Sequence, residues 1–153
     1  MFKYLLQPQL PTSNTVSLLL LWTRIIIGML FLNHGVEKWM EFSYLSDTFP
    51  NPIWLGSTIS LILVIFAEVF CAFAFIFGIF FRLALIPMII NMGVAFFIVH
   101  SETSLADKEL ALIYLIIFVT SFISGPGRYS VDHIFLRKCC NTHERYKEID
   151  FDD

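Results

Sequence analysis

Four stretches of this chain, at about 16–38, 55–80, 83–100 and 109–124, run long and apolar with only isolated charges inside them. The hydrocarbon core of a bilayer is about 30 Å thick and takes roughly 20 apolar helical residues to cross. In lipid a spanning backbone must satisfy its own hydrogen bonds, which leaves helices or closed barrels. The pattern therefore predicts an all-α chain, an integral membrane antiparallel four-helix bundle. Only the last stretch is short, and it ends at Gly125, Pro126 and Gly127, which a helix does not continue through comfortably. That turn is expected at the membrane surface or dipping into it. Composition closes off the soluble alternative, because only 15% of residues are charged and 57% are hydrophobic, against roughly 25% charged in soluble domains.

A chain of 153 residues holds one such domain. We divide it into an N-terminal cytoplasmic segment, 1–15, a helical domain, 16–136, and a polar cytoplasmic tail, 137–153. The first segment has a lone Lys3, two prolines and no A-x-A-like site after the apolar run, so the first helix is expected to be retained rather than cleaved. Orientation follows from basic residues beside the spans. Lys3, Arg82, Arg128, Arg137, Lys138, Arg145 and Lys147 lie on the side of the termini, against Lys38 and Lys108 opposite, so both termini are expected in the cytoplasm. The loop from Glu41 to Trp54 then faces outward, with Trp39 and Trp54 as interfacial anchors. A pI near 5.7 argues against a nucleic-acid partner. Three cysteines without a C-x-x-C exclude a disulfide framework or a dithiol relay. Cys71 reads as a packing residue. Cys139, Cys140 and His143 lack a fourth ligand, so no metal site is assigned.

An ionic side chain at the middle of a membrane helix costs about 2.5–3.5 kcal/mol on insertion scales, so each one present needs a partner or a wet cavity. Arg24 and Glu68 lie at depths of roughly 12 and 18 Å from one surface, taking 1.5 Å per residue. Asn91 lies level with Arg24 and is able to hydrogen-bond with either. Two readings are open: a buried pair that pins two helices, or the lining of a polar cavity. Arg24, Gly28, Phe31, Gly35 and Lys38 share one stripe of the first helix, and Glu68, Cys71, Phe75, Gly78 and Arg82 one of the second. The glycines on both stripes invite close helix contact. His34, Lys38, His100 and Glu109 form a second polar layer at the opposite ends of the helices. Together with Arg24, Glu68 and Asn91 they make up one expected pocket, with interfacial anchoring of each side chain as the plainer alternative. Two histidines suggest a haem, but nothing else in the chain supports one. Pro87 is expected to kink the third helix just before Asn91.

The string Arg24-x3-Gly28-x2-Phe31-x2-His34-Gly35-x2-Lys38, then Glu68, Gly78-x3-Arg82, Glu109 and Gly125-Pro126-Gly127-Arg128-Tyr129-Ser130-x-Asp132 resembles the DoxX family of small four-helix membrane proteins. The resemblance runs from about Leu18 to Asp132. It implies a bacterial inner-membrane bundle related to small subunits associated with thiosulfate:quinone oxidoreduction and membrane redox complexes. Read physically, Gly125 and Gly127 permit unusual backbone angles, Pro126 stiffens the turn, and Ser130 or Asp132 is able to cap exposed amides and so position Arg128.

Three functions compete. In the first, His34, Lys38 or Arg24 hold the carbonyls of a quinone among phenylalanines. The chain carries no flavin, haem or iron–sulfur motif, so a redox partner protein would supply the electrons. The second is a non-catalytic membrane anchor or assembly partner. The third, ranked last, is a proton or solute path along Arg24, Glu68 and Asn91. Substrate, partner and oligomeric state are not legible in the sequence.

Overall fold

The computed structural model describes residues 13–51, 56–99 and 105–134, with the side chains of 105–107 excepted. Its described residues are helical and turn, with no strand among them. Helix α1 spans Asn14–Met40, and the Ser13 hydroxyl accepts from the Val16 amide at its start. A short helix, α2, spans Phe42–Thr48. Helix α3 runs over Ser57–Phe77 and α4 over Phe81–Val99. Helix α5 spans Leu105–Ser124. Among the described residues, α1, α3 and α4 are long and apolar enough to cross a membrane. Asp107, Lys108 and Glu109 fall within the first five residues of α5, and the rest of that helix is apolar apart from Tyr114, Thr120, Ser121 and Ser124.

The segment from Glu41 is not a plain loop. Phe42, Leu45 and Phe49 alternate with polar residues at helical spacing and pack on Leu61, Ile65 and Val69 of α3, so their burial turns the connection into α2. Gly78 at φ 67° and Phe80 at φ 43° end α3 and start α4 within three residues. Arg82 consequently lies in the first turn of α4 rather than on the last turn of α3, where the stripe pattern placed it.

The core lies where α1, α3, α4 and α5 meet. Phe31 stands edge-on to Phe118 with centroids 4.9 Å apart, and Phe75 stacks on Phe81 at 5.3 Å. Leu85 and Met88 fill the remaining space. Gly35 sets how closely α1 approaches α3: a Cβ there would lie 2.8 Å from both Glu68 Cβ and Val69 Cγ2. A small residue brings the two backbones together without any hydrophobic drive, which is how helices associate in lipid.

Two helices depart from α geometry near the polar residues. Residues Phe66–Phe70 of α3 and Ala95–Val99 of α4 form π turns, each a local widening by one residue. The first carries Glu68 to the interior. The first half of α3 packs on α1 and α2 and its second half on α1 and α4, while the last turns of α4 pack on α5. The bundle is thus tight at the end holding Gly78 and open at the end holding Lys38.

Candidate functional site: two polar clusters at opposite ends

Arg24 and Glu68 do not meet. The Arg24 guanidinium reaches toward the turn after α5, donating to the Pro126 carbonyl at 2.8 Å and to the Tyr129 carbonyl at 2.5 Å. It is buried and lies under the face of Phe81, 5.7 Å from the ring centre. The reason is local. Gly125 and Gly127, at φ 82° and 75°, fold the chain so that the carbonyls of Pro126 and Tyr129 face the bundle, and a guanidinium is the fork that satisfies both.

Asp132 completes this cluster. Its carboxylate accepts from the amides of Phe80 and Phe81 at 2.9 Å each, while its own amide donates to the Gly78 carbonyl at 3.1 Å. A carboxylate from a distant turn thereby caps the start of α4, where unpaired amides and the helix dipole favour an anion. It also holds Phe80, a bulky residue in a left-handed conformation that is otherwise unfavourable. Gly78 has no freedom to carry a side chain, since a Cβ would lie 2.5 Å from Arg24 Nη1 and 2.7 Å from Ser130 Cβ. Ser130 accepts from the His133 amide and donates to the Gly127 carbonyl, both at 3.1 Å. Arg128 reaches back to Asn14 at 2.9 Å, tying the turn to the start of α1. Arg82 is buried beside it, over the ring of Phe122.

The other cluster surrounds Glu68. One of its oxygens accepts from Lys38 Nζ at 2.5 Å and the other from Asn91 Nδ2 at 3.1 Å. Glu68 is buried, with its side chain 3% exposed, whereas that of Lys38 keeps 29%. The ion pair has one foot in the interior and one at the edge of a cavity of about 650 Å³. The cavity is lined by Phe31, His34, Lys38, Glu68, Asn91 and Tyr114, with apolar residues of α3 and α4 making up most of the remaining wall. The imidazole of His34 stands perpendicular to the Tyr114 ring, centroids 6.2 Å apart, with Nδ1 3.8 Å from Glu37 on the exposed side.

The residues expected to share one pocket therefore divide. His34, Lys38, Glu68 and Asn91 come together around the cavity. Arg24 belongs to the turn at the other end, because its partners there are carbonyls 102 and 105 residues away in sequence. Glu109 is exposed and outside the lining, which α5 supplies through Leu110, Ala111 and Tyr114 instead. His100, Trp54 and the tail at 137–153, with its cysteines, lie outside the described residues. Tyr114 was missed. Its signal is the interior stripe Tyr114, Phe118 and Ser121, buried at steps of four and three, in which the tyrosine is the member nearest the open end.

Such a cavity suits a flat, mostly apolar molecule with acceptors at its edge. Its volume falls in the range of small-molecule sites, and few polar groups on an apolar wall fix orientation. Lysine, histidine and the tyrosine hydroxyl are available donors by chemistry.

A family model described as DoxX matches residues 19–101, a span that takes in Arg24, His34, Lys38, Glu68 and Asn91 but stops before Tyr114 and the 125–132 turn. Two proteins of Haemophilus influenzae, each described as an uncharacterized protein, are similar to this chain. One is 30% identical over 128 residues, covering 78% of this chain and 83% of its own length. The other is 29% identical over 126 residues, covering 78% and 92%. No solved structure matches.

Proposed function

The chain belongs to the DoxX family, and from that premise we propose that its cavity binds a quinone-class ring as the membrane subunit of an oxidoreductase whose electrons come from a partner protein. The observation that carries the reading is the convergence of His34, Lys38, Glu68, Asn91 and Tyr114 on one largely apolar cavity of about 650 Å³. A quinone presents two carbonyl acceptors across a flat ring, and Lys38 and His34 are the donors nearest open space. Phe31 and Tyr114 supply the aromatic wall. Reduction of the ring consumes protons as well as electrons, and the Lys38 ammonium, which donates to Glu68 at the cavity edge, is the proton-bearing group placed to deliver one.

In this reading α5 is the fourth span, which completes an antiparallel bundle in a bacterial inner membrane with both termini in the cytoplasm. The basic residues Arg82 and Arg128 at the turn end support that orientation, and the bacterial relatives support the setting. Reporter fusions after Asp47, after Asp107 and at the C-terminus should read outside, outside and inside. A cytoplasmic signal after Asp47 reverses the orientation.

A second reading, a non-catalytic anchor or assembly partner, is favoured by one feature: Lys38, Glu68 and Asn91 satisfy one another without any ligand. Quinone titration of the purified protein, alone and with proteins that co-purify, separates the two. Saturable binding that is lost in Lys38→Met/Glu68→Gln, a variant that removes both charges together, supports the redox subunit. No saturable binding by the wild type leaves the anchor.

A further inference from the structure

Resting on the quinone reading, we propose that the cavity is filled sideways from the bilayer, through a cleft between α3 and α4, by a ring that carries a long apolar tail. The tail stays in the cleft and the lipid while the head reaches Lys38 and His34. The first half of α3 packs on α1 and α2, and the last turns of α4 pack on α5, so at this end the two helices turn to different neighbours. Both contain π turns near this end: Phe66–Phe70, which still touches α4 through Glu68 and Asn91, and Ala95–Val99, which lies beyond that contact.

Polarity is graded along this opening. The deep wall consists of Phe31, Glu68 and Tyr114, each at most 5% exposed. On the α3–α4 side the rim includes Leu63 and Phe66 on α3 and Ile90 on α4, which line the same cavity yet are 48%, 49% and 57% exposed; Leu110 of α5, 51% exposed, lies on the other side of α4's last turns. On the α3–α4 side a water-soluble ligand would find an apolar rim with nothing to hydrate it, the part-exposed polar groups Lys38 and His34 of the lining being on α1. A molecule dissolved in the membrane, polar at one end and apolar along its length, matches the gradient at both ends. A phospholipid acyl chain also matches the rim but has no head that fits the deep wall, and competition by added lipid identifies it.

The test uses the full chain in phosphatidylcholine nanodiscs and two benzoquinones with the same head, one without a tail and one with a decyl tail. Each is titrated at equilibrium into wild type, Ile90→Trp, Leu63→Trp and Ile90→Ala. Taking the ratio of variant to wild type for each ligand cancels its partition into lipid. The tryptophans narrow the rim and should weaken the decyl ligand about tenfold more than the tail-less one. Ile90→Ala, which widens it, should not produce the roughly tenfold selective loss of the decyl ligand that the tryptophans do. Both positions face lipid, and matching melting temperatures check that each variant is folded. Equal losses for both ligands, or none, overturn lateral access while leaving the quinone reading standing. Displacement of both ligands by excess phospholipid assigns the cleft to lipid and overturns the proposal. Failure of both rings to bind the wild type overturns the proposal together with the reading beneath it.

Discussion

The two polar clusters use similar residues and are built oppositely. At the turn end, Arg24 is spent on two backbone carbonyls and Asp132 on two backbone amides. Both of these charged groups close main-chain gaps, so they are part of the scaffold. At the cavity end, side chains bind side chains, Lys38 and Asn91 to Glu68, and they do so beside space large enough for a guest. An ionic residue in a membrane helix is a functional candidate by default. The contrast shows that the partner decides: backbone partners mark a brace, and side-chain partners facing a cavity mark a site.

The largest effect should follow from breaking the brace. Arg24→Leu leaves the carbonyls of Pro126 and Tyr129 without donors in a dry interior, and should cost about 3 kcal/mol or more, read as a lowered melting temperature in detergent. An unchanged melting curve would move Arg24 out of the scaffold. Asp132→Ala uncaps α4 and should cost about 1–2 kcal/mol; Asp132→Asn, which keeps an acceptor oxygen, should lose less. The smallest effect sharpens the division itself. Because Arg24 and Glu68 share no partner, the stability losses of Arg24→Leu and Glu68→Gln should add to within about 0.5 kcal/mol in the double variant. A coupling well above that would rejoin the clusters.

Hydrophobic runs were enough to place the long helices to within a few residues at most ends, because lipid leaves few alternatives for such segments. The stripe carrying Gly28, Phe31 and Gly35 is likewise buried along α1. The direction in which a long side chain reaches was not legible. Arg24 and Glu68 look like partners by depth, yet the glycine turn at 125–127, remote in sequence, offers carbonyls that a buried guanidinium satisfies better. Lys38 reads as a member of the outer polar layer of the pocket, but its pairing with Glu68 was not legible, because the π turn in α3 that carries Glu68 inward is announced by no local pattern. Phe42, Leu45 and Phe49 did carry helical spacing, but Pro50 and Pro52 nearby made the segment read as loop.

One pair of variants puts the division between brace and site to its most direct test: quinone binding and thermal melting measured on the same preparations of His34→Leu and Asp132→Ala. His34 is part exposed and its one ionic contact is with a surface glutamate, so its loss should shift stability by less than about 1 kcal/mol while weakening quinone binding about tenfold. Asp132→Ala should do the reverse, melting earlier while the folded fraction binds as wild type does. If the two variants instead lose binding and stability in parallel, the bundle carries no separable site and the division between brace and cavity is wrong.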